Sequence, residues 1–234
     1  MPTAERGSDL SRTRRTVALL LTAAAALIIV PFTGAPLRAQ PAPVDTTDLG
    51  TGPYARMHML LEKTLFKVDV LTLDVRFGPR ETTRIEALLG GGKGTAGVLL
   101  RDSVASVALD ARDVWALIEF QRNVRLDQFL DGISDNLRQA TKAGVITVQS
   151  YRSISTDLPR WYAFLEQRGI HKGDRMYYRI HNDSLRTVYL DSDGGTLLDQ
   201  VDVGPERRLS VLGGYFAPGS VFRDKLIDSL LSGL

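Results

Sequence analysis

The sequence contains no cysteine and only three histidines. Without cysteine there are no disulfides, no thiolate metal sites and no lipid-attachment cysteine, so an exported form of this chain is held together by packing alone. The three histidines, His58, His171 and His181, do not have the spacing of a metal-binding helix. We therefore predict no metal site and no cofactor.

An excess of charge of either sign is also missing from the main part of the chain. The whole chain has 29 basic and 27 acidic residues, and its first 39 residues hold five of the basic and two of the acidic ones. Subtraction leaves 24 basic and 25 acidic residues in the remainder. A nucleic-acid-binding protein needs a net basic face, so we predict that nucleic acid is not a partner.

Motifs of nucleotide binding, calcium binding and serine hydrolysis are incomplete or absent. In the glycine-rich stretch 90–95, Gly94 separates Lys93 from Thr95, whereas a P-loop needs these residue types side by side. The stretch 191–194 begins like a calcium loop but lacks the later acidic ligands. No Gly-x-Ser-x-Gly elbow is present. We predict surface loops at the first two places and no catalytic residue of these classes.

The first 39 residues have the layout of an export signal. A basic start is followed by an apolar run over 17–32 and then by small residues that end in Ala39, a position suited to cleavage. The run is about 16 residues long, shorter than the ~20 that span a bilayer. We predict a cleaved signal peptide and a periplasmic protein. The alternative is an inner-membrane anchor formed by residues 17–32, which would be the only contact with the membrane.

Residues 40–53 are rich in Pro, Gly and Thr and contain few apolar side chains, which predicts a linker. The folded domain is predicted over 54–234. Alternation of apolar and polar residues predicts strands, and apolar spacing of three and four predicts helices. The predicted strands cover 57–63, 64–78, 114–121, 175–181, 185–191 and 196–203, and the predicted helices cover 79–89, 102–109, 126–140, 145–156, 160–167 and 205–212, with a last helix capped by Ser220.

This order predicts an α+β domain in which an antiparallel sheet is covered on one face by helices. The second strand contains an irregularity. Phe66, Val68 and Val70 form its apolar set at first, and Leu71, Leu73, Val75 and Phe77 take over afterwards. A change of phase between Val70 and Leu71 predicts either a β-bulge or a long strand that is covered on different faces at its two ends.

A succession of short motifs resembles the chalcone isomerase-like family, in particular its bacterial members with export signals. The likeness extends over about residues 54–231 and rests on the segments 66–70 and 119–124, the helix pattern Phe129-x-x-Gly132-x-x-x-Asn136-Leu137, and the segments 172–174, 193–194, 211–213 and 224–226. The resemblance implies an open-faced β-sandwich with a cleft between sheet and helices. Plant relatives close a flavanone ring in this cleft, and other relatives bind fatty acids there.

The resemblance also implies candidate ligand-binding residues. Arg56 lies near the place of the isomerases' arginine, Asp69 stands where they have a threonine, and Ser210 corresponds to their late Thr or Ser. Their Tyr and Asn pair on one helix has no counterpart, so we predict no catalytic residue and expect a non-catalytic protein that binds an apolar molecule such as a fatty acid or a phenolic compound. The alternatives are an intramolecular lyase with a rebuilt site and an interaction module of the cell envelope.

Overall fold

A computed structural model describes residues 54–63, 68–90 and 97–232. The predicted signal or anchor and the predicted linker therefore lie outside the described residues, as does the glycine-rich loop 91–96. All described residues fall within one compact unit. Among them, no helix is long and apolar enough to cross a membrane.

Six strands and six α-helices make up the described part. The strands are β1 (Ala55–Lys63), β2 (Val68–Phe77), β3 (Asp113–Phe120), β4 (Arg175–His181), β5 (Ser184–Leu190) and β6 (Thr196–Val203), and the helices are α1 (Pro79–Gly90), α2 (Val98–Asp110), α3 (Leu126–Lys142), α4 (Val148–Trp161), α5 (Pro205–Phe216) and α6 (Arg223–Leu231). A short 3-10 turn, Ala163–Leu165, follows α4.

The strands form one antiparallel sheet in the order β1-β2-β3-β4-β5-β6, so each strand pairs with its neighbours in sequence. Alternate side chains of β1 to β5, such as Met57, Leu73, Ile118 and Ile180, are buried in one core together with residues from all six helices, and β6 adds the half-buried Leu198. The predicted α+β architecture, an antiparallel sheet with helices on one face, is confirmed.

The irregularity in β2 is a β-bulge. Leu61 of β1 pairs with Leu71, but the next residue, Glu62, pairs with Asp69, so Val70 has no partner on β1. Its carbonyl accepts a hydrogen bond from the Gln121 N–H at 3.0 Å instead. Because of the extra residue, both Val70 and Leu71 pack on the core. Of the two explanations that the sequence allowed, the bulge is the one observed.

Two residues do not have the role at a helix start that their sequence context predicts. Pro159 would begin the helix predicted over 160–167, but it lies inside α4, which continues to Trp161. Proline removes one backbone hydrogen bond, and in the last turn of a helix that loss is tolerated. We also expected Ser220 to cap α6, which starts three residues later without a side-chain cap. The Ser220 hydroxyl donates instead to the Gly214 carbonyl at 2.6 Å.

Candidate functional site

A cavity of about 110 Å³ lies between the sheet and the helix layer, at the end formed by β4, β5 and β6. Its helical walls come from α3, α4 and α5. Most of its lining is apolar because these helices direct their apolar stripes toward the sheet. The apolar wall is formed by Ile133, Leu137, Ile154, Leu158, Leu185, Leu198 and Val211.

Three buried tyrosines, Tyr162, Tyr178 and Tyr215, also line this cavity. The Tyr162 and Tyr178 hydroxyl oxygens lie 3.4 Å apart, within hydrogen-bond distance. Burial raises the pKa of all three phenols, because the charged phenolate would lose its hydration. These side chains are therefore neutral at physiological pH, and they can donate a hydrogen bond but cannot act as bases there.

The polar side of the cavity is formed by Gln200 and Asp202 on β6 and by Arg207 and Ser210 on α5, with Thr187 and Asn136 nearby. The Gln200 amide donates to both oxygens of Asp202, at 3.1 and 3.0 Å, so that carboxylate already has a partner. The Ser210 hydroxyl donates to the Arg207 carbonyl at 2.7 Å. The polar residues thus bond largely to one another, with one exception.

The exception is the Arg207 guanidinium. It stacks on the Trp161 indole, 4.4 Å from the ring centroid, and its Nη2 lies 3.9 Å from a carboxylate oxygen of Asp157. Its Nη1 is buried and has no hydrogen-bond partner among the described residues. A buried guanidinium nitrogen without an acceptor is costly, and here it belongs to a side chain that lines a cavity. This arrangement suits an anionic acceptor on a bound molecule.

The neighbouring residue, Arg208, has a structural role. Its side chain is buried, and Nη1 donates to the carbonyls of Leu109 and Ala111, both at 3.2 Å. These carbonyls lie at the C-terminal end of α2, where helix carbonyls lack partners within the helix. Burial and, to a lesser degree, the nearby Arg112 lower the pKa of Arg208. Arg208 therefore holds α5 to α2 and does not reach the cavity.

A second buried polar cluster surrounds Asp174, which is 0% exposed. Its carboxylate accepts hydrogen bonds from Arg168 Nη2 at 2.7 Å, from the His171 N–H at 2.8 Å and from the Tyr189 hydroxyl at 2.8 Å. Burial by itself would raise the pKa of Asp174, but these hydrogen bonds outweigh it and lower that pKa. Every acceptor here is satisfied, so the cluster stabilises the start of β4 and offers nothing to a ligand.

The structure does not bring the three predicted ligand-binding residues together. Ser210 lines the cavity. Arg56 lies on the opposite face of the sheet, because its neighbours Ala55 and Met57 point into the core, and its side chain pairs with Asp74 through Nε at 2.8 Å. The backbone of Asp69 pairs with Glu62, and its side chain lies outside the described residues. A rebuilt lyase site that combines Arg56 with Ser210 is therefore not formed.

Sequence reasoning missed Arg207, and it offered the aromatic residues, Tyr162, Tyr178 and Tyr215 among them, as pocket lining or core without choosing a pocket. The signal for Arg207 is present in α5: Arg207, Val211 and Gly214 stand four and three residues apart, so they share one helical face. When an arginine shares a helical face with apolar or small residues, its charge is expected to point toward the protein interior. Among the described residues, no three metal-binding side chains converge, so no metal site can be assigned there.

Comparison with known proteins shows a likeness of structure but not of sequence. No protein-family model matches the chain, and no curated protein matches it. Among solved structures, the chain is similar to the Arabidopsis thaliana fatty-acid binding protein AtFAP1, with 12% sequence identity and a TM-score of 0.48, over 78% of this chain and 91% of that one. Membership of the chalcone isomerase-like family stays a prediction from the sequence motifs.

Proposed function

We propose that this protein binds a small apolar molecule with an anionic group, without catalysing a reaction, in the cavity between the sheet and helices α3, α4 and α5. The observation that carries the proposal is the Arg207 side chain, whose buried Nη1 has no hydrogen-bond partner among the described residues although it lines an apolar cavity. A bound anion would supply the missing acceptor, while the apolar wall would hold the rest of the molecule.

The size of the cavity limits the ligand. Its volume of about 110 Å³ lies well below the ~300–1,000 Å³ of pockets that enclose drug-sized ligands. An engineered cavity of about 150 Å³ holds benzene, so the part that fits here is one ring or a short acyl chain. A longer fatty acid needs either a tail that leaves beside the half-buried Trp161 or a separation of α4 from α5.

A carboxylate is the favoured anionic group. The planar guanidinium binds a carboxylate through two parallel hydrogen bonds, which a phenolate with its single oxygen cannot match. The neutral tyrosines add hydroxyl donors on the same wall. Within the fatty-acid and phenolic classes expected from the sequence, the proposal therefore selects apolar carboxylic acids. Export to the periplasm remains a prediction from the N-terminal sequence.

Calorimetric titration of the purified full chain tests this function. Linear carboxylic acids of increasing length are compared with the alcohols of equal length. We expect the acids to bind and the alcohols to bind at least about tenfold more weakly, because a hydrogen bond to a charged group contributes about 1.5–3 kcal/mol. Affinity should rise with chain length and level off once the cavity is full.

Two arginine variants sharpen this test. Arg207→Gln keeps much of the side chain but removes the charge, and it should weaken acid binding by about 10- to 100-fold while leaving alcohol binding unchanged. Arg160→Gln is the matched control, because Arg160 is exposed on α4 and pairs with the same Asp157 but does not line the cavity. Wild-type affinity in Arg207→Gln, or no binding of any acid by the wild type, would contradict the proposal.

A further inference from the structure

The two outer strands of the sheet have different surroundings. β1 and β6 stand at the ends of the strand order, so each has one side without a partner among the described strands. On β1 this side is occupied by α6. There the Ser229 hydroxyl accepts a hydrogen bond from the His58 N–H at 2.9 Å. The Lys225 ammonium group donates to the Leu60 carbonyl at 3.3 Å, so the chain covers its own β1 edge.

The outer edge of β6 has no such cover within the described part of the chain. The backbone of Thr196–Val203 pairs with β5, and no other hydrogen bond joins it to a described residue. An edge strand with unpaired backbone groups can accept a further strand, and natural proteins often protect such an edge with lysine or proline. β6 contains neither residue type.

β6 also exposes apolar side chains. Val201 is 58% exposed and Val203 is 80% exposed. Both lie on the sheet face opposite the helices, the open face, because the alternate residues Gln200 and Asp202 line the cavity on the other face. Exposed valines beside an unpaired backbone edge favour pairing with another strand, which would remove apolar surface from water.

The charges of β6 restrict how this strand can pair with a second copy of itself. In antiparallel pairing about a two-fold axis perpendicular to the sheet, each residue stands opposite one of the same face, so the axis passes through a residue. An axis at Asp199 or at Asp202 would set two carboxylates directly opposite each other, which is destabilising. Among the central positions of β6, Gln200 and Val201 remain.

An axis at Val201 makes the edge complementary to itself. Val201 then stands opposite Val201 of the second copy, and Val203 lies diagonally next to it, so the exposed valines of both copies come together on the open face. On the other face, Gln200 of each copy stands opposite Asp202 of the other, where the amide can donate to the carboxylate. With the axis at Gln200, Val201 would stand opposite Asp199 instead. The register centred on Val201 is therefore the favoured one.

From these observations we propose that the outer edge of β6 is a homodimer interface, in which a second copy of the chain pairs antiparallel with the two-fold axis at Val201. The sheets of the two copies then form one continuous sheet. Because only residues 199–203 of each copy pair, the contact is smaller than the ~1,200–2,000 Å² of stable interfaces. We therefore expect a reversible dimer that dissociates on dilution. The proposal does not depend on what the cavity binds.

Sedimentation velocity of the full chain over a wide range of concentrations tests the association. We expect the mean sedimentation coefficient of the wild type to rise with concentration toward that of a dimer. Val201→Lys would set two ammonium groups opposite each other at the axis, and it should weaken association at least about tenfold. Val221→Lys is the matched control, because Val221 is an exposed valine between α5 and α6. This control should associate like the wild type.

The absence of cysteine allows a test of the register by cross-linking with oxidised glutathione. Val201→Cys places two thiols opposite each other at the axis, where the Cα atoms of paired residues lie about 4.5–5.5 Å apart, within the range of a disulfide. We expect it to form a linked dimer at least about tenfold faster than Ser153→Cys, which is exposed on α4. Gln200→Cys should link more slowly than Val201→Cys, because its thiol would stand opposite Asp202 of the second copy.

Four results would overturn the proposal. A wild type that remains a monomer at millimolar concentration would exclude the dimer. Association that Val201→Lys does not weaken would come from another surface, such as the apolar run over 17–32. A Val201→Cys chain that links no faster than Ser153→Cys would exclude contact at this edge. Faster linking of Gln200→Cys than of Val201→Cys would exclude the axis at Val201.

Discussion

The two faces of the sheet use polar residues in different ways. On the covered face, the polar groups are few and deeply buried, such as Asp174 with its ring of hydrogen bonds. On the open face, charged residues form ion pairs in partial contact with solvent, for instance Arg56 with Asp74, whose side chains are 57% and 15% exposed. The same alternating strands form both surfaces, but the burial of a charged group determines how much it contributes to the stability of the fold.

This difference teaches where to look for a ligand. A buried charge with all its hydrogen bonds made, like Asp174, is part of the framework. A pair in partial contact with solvent, like Arg56 and Asp74, is held more weakly because water screens it. Arg207 fits neither description, since its Nη1 is buried without a partner. Among the described side chains with such a buried polar atom, Arg207 is the one that lines the cavity, which makes it the best candidate for binding.

The largest effect is expected from removing a charge on the covered face. Asp174→Asn should lower the free energy of unfolding by about 3 kcal/mol, because it leaves the Arg168 guanidinium without its carboxylate. Asp74→Asn, the matched change on the open face, should cost about 1 kcal/mol or less. Urea denaturation of the full chain measures both. Equal losses in the two variants would remove the distinction between the faces.

Acid should weaken the covered face through the same residue. The hydrogen bonds keep the pKa of Asp174 lower in the folded than in the unfolded chain, where it is about 3.9. Its stabilisation is therefore complete above that pH and is lost as the pH falls through the folded-state pKa. We expect the free energy of unfolding to fall more steeply below pH ~4 in the wild type than in Asp174→Asn. Tyr189→Phe, which removes one of the hydrogen bonds, should give an intermediate slope.

A smaller effect concerns the packing of the helix layer over the covered face. A methyl group on Gly213 of α5 would lie 2.9 Å from both Ala140 and Val145, whereas one on Gly214 would meet Asn136 at 3.6 Å, an ordinary contact. Gly213→Ala should destabilise the protein by about 1–3 kcal/mol. Gly214→Ala should stabilise it by up to ~1 kcal/mol, since alanine favours helices.

Thermal or urea denaturation measures the change in the free energy of unfolding in these two variants. A change of the same sign in both would contradict the close approach of α3 and α5 at Gly213. Gly214→Ala also places a methyl group on the cavity wall. We therefore expect the longest acid that binds well to be shorter for Gly214→Ala than for the wild type. Because this variant should not lose stability, its binding can be measured without that complication.

Local patterns were sufficient for most of the framework. The bounds of β4 and β6 and the apolar stripe of α3 follow from residue periodicity, which acts over a few neighbouring residues. Even the bulge at Val70 was visible as a change of phase. The predicted roles of Pro159 and Ser220 were wrong, because the local preference of each residue was outweighed, at Pro159 by the surrounding helix and at Ser220 by a hydrogen bond to the end of α5.

The site depended on tertiary structure. The alternation of side chains along β1 places Arg56 on the sheet face opposite to that of Met57, but it does not show which face the helices cover. Because the helices cover the Met57 face, Arg56 and Ser210 lie on opposite sides of the sheet. The cavity combines α3, α4 and α5 with β4 to β6, and the pattern within each of these elements does not show that their side chains meet. The sequence by itself determined the strands, helices and sheet class, because those depend on local hydrophobic patterns. Only the packing of helices on the sheet decided that Arg207 has a buried nitrogen without a partner, because desolvation is set by all surrounding elements together.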